Sequence, residues 1–151
     1  MWRMPTSQVR QDLVEKELTG SIISGFYYVY NQLGYGFLEK IYSEALARTL
    51  RKLGHSVQRE VRIPIYFDGE VIGLQRIDML VDAKVIVENK STFLLSDADH
   101  RQLTSYLTSS DIQVGLLFHF GPEPKFYRAV CTRSPRPFDD TSPSFQRDPS
   151  D

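Results

Sequence analysis

Residues 76–90 read Arg-Ile-Asp-Met-Leu-Val-Asp-Ala-Lys-Val-Ile-Val-Glu-Asn-Lys, and they predict the two strands of a hairpin. The second strand, residues 84–90, is rich in β-branched residues and ends in three polar ones. Because side chains alternate between the two faces of a strand, Glu88 and Lys90 project from one face and Asn89 from the other. Polar residues that end an apolar strand contribute little to packing, so we expect chemistry at this position.

The register of the hairpin decides whether Asp78 joins Glu88. A two-residue turn would pair Val81 with Lys84 and turn Asp78 away from Glu88. A three-residue loop pairs Val81 with Val85, and Asp78 with Glu88. A slip of one residue reverses the face of every side chain. We adopt the second register as a hypothesis, because only that register brings two carboxylates and an ammonium group together.

Such a cluster is suited to metal-assisted chemistry. Two neighbouring carboxylates repel each other unless a cation lies between them. Carboxylate, carbonyl and water oxygens are ligands for Mg²⁺ or Mn²⁺. A metal lowers the pKa of a bound water and stabilises charge on a phosphate, and a lysine beside it can orient that water. Phosphodiester hydrolysis is thus one interpretation; an ordinary exposed ion pair at a strand end is the alternative that the triplet alone leaves open.

The composition is typical of a soluble globular domain without a strong overall charge. Of the 151 residues, 41% are hydrophobic and 25% are charged, as in an ordinary soluble globular domain. The net charge of −1 gives no global basic field, so a nucleic acid would need a local basic patch. The candidates for such a patch are Lys40, Arg48, Arg51, Arg59, Arg62, Lys125 and Arg128.

The cysteine count and the hydropathy pattern bear on disulfides, zinc sites and cellular location. The one cysteine, Cys131, excludes an intramolecular disulfide and a zinc site built from cysteines. No apolar run approaches the roughly 20 residues of a membrane span. Residues 1–8 lack the apolar core of a signal peptide. We therefore expect a cytoplasmic protein that does not enter membranes.

Hydrophobic periodicity predicts the order ααβββαββ. The predicted helices cover residues 6 or 7 to 32, 37–53 and 98–109, and the predicted strands cover 56–66, 71–80, 85–90, 112–120 and 124–131. Because a helix links the third and fourth strands, these two should be parallel. The expected fold is a mixed α/β (α+β) domain over residues 1–133, with a central sheet of about five strands flanked by helices. Residues 134–151, rich in Pro, Ser and Asp, predict a disordered tail.

Other chemical motifs are few. There is no Gly-rich phosphate loop followed by Lys-Ser or Lys-Thr, and no Gly-x-Ser-x-Gly elbow. The three histidines show no ligand spacing, and His119, between two phenylalanines, predicts a structural side chain. Glu39 falls in the first turn of the second helix, where an acidic residue also favours the helix dipole. Gln102 and Tyr106 lie four residues apart, on one face of the third helix.

Several of these segments, taken in order, resemble one family. They are Gly36-Phe37-Leu38-Glu39-Lys40-Ile41-Tyr42, Glu44-Ala45-Leu46, Arg76-Ile77-Asp78, Val85-Ile86-Val87-Glu88-Asn89-Lys90, Gln102-Leu103-Thr104-Ser105-Tyr106-Leu107, and Val114-Gly115-Leu116-Leu117-Phe118-His119-Phe120-Gly121. The chain resembles the GxxExxY proteins, a branch of the PD-(D/E)XK nuclease superfamily, from about Leu18 to Val130. The resemblance implies a restriction-endonuclease-like core and a metal-dependent nuclease.

The resemblance also implies a role for each site residue. Asp78 and Glu88 would bind Mg²⁺ or Mn²⁺, with the backbone carbonyl of Asn89 as a further ligand. Lys90 would position or activate the attacking water. Glu39 would complete the metal shell or hold a water.

Two further residues are similar to a motif of exonuclease-like members. Gln102 and Tyr106 match their Gln-x-x-x-Tyr, which steadies the site and the substrate backbone. The chain departs from the superfamily pattern in Ile77, where proline is usual, and in Asn89, where an apolar residue is usual.

The expected substrate is nucleic acid, DNA rather than RNA, although no residue separates the two. A homodimer or a protein partner is also expected. The alternative function is a non-catalytic module that keeps the fold and binds nucleic acid or protein.

Overall fold

The structure is a computed structural model that describes residues 15–131. Three helices and five strands follow one another in the predicted order: α1 (Lys16–Leu33), α2 (Glu39–Lys52), β1 (Val57–Phe67), β2 (Glu70–Val81), β3 (Val85–Lys90), α3 (Asp97–Thr108), β4 (Val114–Phe120) and β5 (Pro124–Val130). The predicted disordered tail lies outside the described residues. Among residues 15–131, no helix is both long enough and apolar enough to cross a membrane.

The five strands form one mixed sheet in the order β1-β2-β3-β4-β5. β3 and β4 are parallel, and the other neighbours are antiparallel. The parallel pair follows from α3, which crosses over one face of the sheet between them. β1 and β5 are the edges, and Pro64, which lacks an N–H group, lies on the edge strand β1. The predicted mixed sheet with flanking helices is confirmed.

The β2–β3 hairpin has the register that the hypothesis requires. Val81 pairs with Val85, and the pairing continues to Met79 with Val87. Asp82 and Ala83 make the turn with positive φ values of 51° and 55°. Asp82 also joins the turn to the start of β1, because its Oδ1 accepts from the Ser56 N–H at 2.7 Å.

Helices α1 and α2 cover one face of the sheet and build the larger core. Phe26 stacks on Phe118 with ring centroids 4.4 Å apart, and Tyr42 stacks on Phe120 at 4.2 Å. The two helices approach closely at Gly25, where an added Cβ would lie 2.9 Å from a methyl group of Leu50.

The first helix is shorter than predicted. Glu15, with a φ of 54°, precedes Lys16 and interrupts the helix there, so an unbroken helix from residue 6 or 7 is wrong at this position. The rest of that predicted start lies outside the described residues.

Helix α3 covers the other face of the sheet. It begins with a capping box, in which Ser96 and Asp99 each accept a hydrogen bond from the other's backbone N–H. Leu103 packs against β4 at Gly115, where a Cβ would lie 2.7 Å from a methyl group of Leu103. This contact fixes the height of α3 along β4, and therefore the position of the polar residues that α3 presents to the end of β3.

Candidate active site at the end of β3

Asp78 and Glu88 interlock where the β2–β3 pairing ends. The Asp78 N–H donates to Glu88 Oε1 at 2.9 Å, and the Asn89 N–H donates to Asp78 Oδ2 at 2.9 Å. Each carboxylate thus binds the backbone of the opposite strand, in place of a strand-to-strand hydrogen bond. Glu88 is only 3% exposed. The two acidic groups are therefore held side by side in a largely buried position.

The electrostatics of this pair are unfavourable without a cation. Burial, followed by the charge of Asp78, raises the pKa of Glu88 to about 8. Burial also raises the pKa of Asp78, although the Asn89 N–H and the Lys90 ammonium act to lower it. The metal-free site therefore holds a proton near neutral pH, which a bound cation would displace.

Glu39 lies close enough to the pair to interact with it. It is the first residue of α2 and is partly buried. Burial and then the charge of Asp78 raise the pKa of Glu39, and Lys90 acts to lower it. The structure thus places a third carboxylate, from a different element, within electrostatic reach of Asp78.

Lys90 is held by α3. Its Nζ lies 3.1 Å from Gln102 Oε1 and 3.9 Å from Asp99 Oδ1. Sequence reasoning did not assign Asp99 to the site, although its position three residues before Gln102 places it on the same helical face. The ammonium is therefore oriented by two polar side chains of one helix turn.

Tyr106 supports the first strand of the hairpin. Its hydroxyl donates to the carbonyl of Arg76 at 3.2 Å. Burial, and then the charges of Glu88 and Asp78, raise its pKa, so it stays a neutral donor at physiological pH. The structure thus brings the predicted Glu39, Asp78, Glu88, Lys90, Gln102 and Tyr106 to one end of the sheet.

The side chain of Asn89 points to the opposite, buried face. It is 0% exposed, and its Nδ2 donates to Ser43 Oγ at 3.1 Å. Its Oδ1 is buried without a hydrogen-bond partner. Ser43 lies one turn after Glu39 in α2, so this contact ties the helix that carries Glu39 to the strand that carries Glu88. No feature of the sequence indicates this pairing.

The donors at this end of the sheet suit a hard divalent cation, although they do not form a complete metal cage. Within residues 15–131, no three His, Cys, Asp or Glu side chains are arranged so that they could hold a metal together. Asp78 and Glu88 supply adjacent carboxylate oxygens whose charges disfavour each other. An ion here would take these two ligands and complete its shell with a backbone carbonyl and waters.

A second polar cluster lies at the opposite end of β3. Ser21 Oγ is 2.7 Å from His55 Nε2, and His55 Nδ1 is 2.7 Å from Asp82 Oδ2. This order of groups is typical of serine hydrolases. However, Ser21 lies inside α1, where backbone N–H groups bond within the helix and none is offered to an oxyanion. We interpret the cluster as a structural tie between α1 and the β2–β3 turn.

Comparisons with known proteins agree with this geometry. Residues 16–129 match the sequence profile of the PD-(D/E)XK nuclease superfamily. No curated protein matches the chain significantly. Among solved structures, the crystal structure of SSO0001 matches 87% of this chain with a TM-score of 0.50 and 23% sequence identity, a likeness that shows the fold alone. The chain spans 63% of the length of that protein. By the match over most of its length, the chain belongs to the PD-(D/E)XK nuclease superfamily.

Proposed function

We propose that this protein is a metal-dependent nuclease of the GxxExxY branch that hydrolyses phosphodiester bonds of nucleic acid, with DNA as the expected substrate. The observation that carries the proposal is the interlocked, buried pair of Asp78 and Glu88 with Lys90 beside it. Membership of the superfamily supports nuclease chemistry in general.

Each residue has a proposed role in that reaction. Asp78 and Glu88, with the carbonyl of Asn89, hold Mg²⁺ or Mn²⁺. When bound, the ion supplies positive charge for the phosphate and lowers the pKa of a coordinated water. Lys90 orients the attacking water. Gln102 holds Lys90 in place, because its Oε1 accepts a hydrogen bond from the Lys90 ammonium at 3.1 Å. Because Glu39 is not arranged with Asp78 and Glu88 to hold one ion directly, it would complete the metal shell through a water.

Tyr106 acts on the site through the backbone. Its hydrogen bond to the Arg76 carbonyl holds the strand two residues before Asp78. We propose that Gln102 and Tyr106 together hold the two carboxylates and the Lys90 ammonium in a fixed arrangement.

The second candidate is a non-catalytic module that binds nucleic acid or protein. The net charge of −1 favours the protein-binding form of this module, because contact with phosphate groups depends on positive charge. Several of the basic candidates have partners in the described part of the chain. Arg48 and Arg59 both pair with Glu44, and Arg51 donates to the Val57 carbonyl. A cytoplasmic location and a homodimer remain predictions for either function.

The test is cleavage of labelled DNA and RNA, single- and double-stranded, with Mn²⁺ or Mg²⁺. We expect the native protein to cut at least one of these, and Lys90→Ala to reduce the rate about 100-fold or more. Lys84→Ala is the matched control, because Lys84 is exposed at the other end of β3 and should leave the rate unchanged. Cleavage by Lys90→Ala at the native rate would contradict the proposal, and no cleavage of any substrate would favour the binding module.

A further inference from the structure

A set of exposed apolar side chains flanks the candidate active site. Six large apolar residues that are 41% to 73% exposed lie on two loops and the first turn of α2; we name them the apolar rim: Tyr35, Phe37, Leu38, Ile41, Phe93 and Leu94. Leu38 directly precedes Glu39, and the second loop begins directly after Lys90. Exposed apolar patches of this kind mark binding surfaces.

Hydrogen bonds hold both loops in place. Ser91 Oγ donates to the Phe37 carbonyl at 2.6 Å, which ties one loop to the other. The Tyr42 hydroxyl donates to the Gly34 carbonyl at 2.5 Å and accepts from the Phe37 N–H at 3.2 Å. The fold thus presents the first loop of the rim at a fixed position.

The second loop is fixed by a buried histidine. His119 is 5% exposed, and its Nε2 donates to the Thr92 carbonyl at 2.7 Å. Thr92 Oγ1 in turn donates to the Leu94 carbonyl at 2.8 Å. His119 therefore has a structural role, as its sequence context predicts, and that role is to support the loop that carries Phe93.

We propose that the apolar rim binds the unpaired bases of a nucleic-acid strand whose phosphodiester lies at Asp78 and Glu88. This inference rests on the proposed nuclease function and specifies its substrate: a single strand, or a duplex with a frayed end or flap. Flat aromatic rings such as Phe37 and Phe93 stack on exposed bases of any sequence. A closed duplex hides those faces and presents only sugar and phosphate beside the scissile bond.

The position of the rim favours nucleic acid over a protein partner. Any occupant of the rim lies next to Glu39 and Lys90, so a protein bound there would cover the approach to the carboxylates. Lys40 adds an exposed positive charge in the same turn as Glu39, which suits the phosphate backbone.

The test is the affinity for a labelled single strand of about 16 nucleotides and for its duplex, measured by fluorescence anisotropy in EDTA. Combined Phe37→Ala and Phe93→Ala should weaken single-strand binding about tenfold or more and leave duplex binding unchanged. The control is Tyr28→Ala, which should leave single-strand binding unchanged. Tyr28 is also an exposed aromatic residue, at 59%, but it borders a groove with Arg48 and Lys52, near the end of α2 that is remote from Glu39. Phe93→Trp should keep the affinity, and Phe93→Leu should weaken it, because leucine has no ring to stack on a base.

Because EDTA removes divalent ions, this experiment is separate from cleavage. Equal single-strand affinity of the native protein and the double variant would overturn the inference, as would a native preference for duplex. A native dimer that the double variant dissociates, with strand binding unchanged, would assign the rim to a second copy instead. A rim-dependent strand binder that cleaves nothing would support the inference and contradict the proposed nuclease.

Discussion

Glu88 keeps an ionisable group in the interior of the protein, directly beside Asp78. Its pKa rises from 4.5 to about 8 because burial and the neighbouring charge both disfavour the carboxylate form. Between these two values the folded protein binds a proton that the unfolded chain does not. The free energy of unfolding of the metal-free protein should therefore fall as pH rises through this interval, and level off above about pH 8.

Glu88→Gln should remove most of this pH dependence. Glutamine keeps an oxygen that can accept from the Asp78 N–H, but it carries no charge. At pH 8 the metal-free variant should be more stable than the native protein by about 2 to 4 kcal/mol, measured by urea denaturation. Glu70→Gln, an exposed residue at the start of β2, is the control. Parallel pH profiles for the native protein and Glu88→Gln would show that the carboxyl is not perturbed.

An added methyl group should have opposite effects on stability at two glycines of α1, because their surroundings differ. A Cβ at Gly20 meets no atom within 4 Å, so Gly20→Ala should stabilise the helix by about 1 kcal/mol. A Cβ at Gly25 would lie 2.9 Å from a methyl group of Leu50, which is fully buried and would have to shift within the core. Gly25→Ala should therefore lower the free energy of unfolding by about 1 kcal/mol despite the same gain in helix propensity. Urea denaturation of both variants checks this; equal effects would mean that α1 and α2 are not closely packed at Gly25.

At the scale of elements, the sequence predicts the secondary structure of a segment better than it predicts the contacts between segments. Asp68-Gly69, a residue pair typical of hairpin turns, predicts the β1–β2 connection, and Ser96 or Asp97 is a predicted N-cap of α3. The register of β2 on β3 could be chosen only as a hypothesis, because Ala83 does not favour the positive φ that the turn requires. The contacts of Asn89 with Ser43, and of Lys90 with Asp99, depend on how each helix is rotated against the sheet, which a single sequence does not specify.

For the whole molecule, the sequence predicts the mixed sheet and the set of polar residues at one of its ends, but not how its basic residues are used. Glu44 pairs with both Arg48 and Arg59, so the net positive charge of the basic patch is smaller than the sequence alone indicates. The sequence alone does not predict the apolar rim either. Phe37 and Phe93 are residue types that are usually buried, and only the structure shows that they are exposed.

Binding of a divalent ion at the carboxylate pair is the central claim, and calorimetric titration with Mn²⁺ near pH 7 tests it most directly. We expect binding by the native protein, release of a proton from the pair, at least tenfold weaker binding by Asp78→Ala, and no change in Glu70→Ala. No binding at millimolar Mn²⁺, or equal binding by Asp78→Ala, would contradict the account.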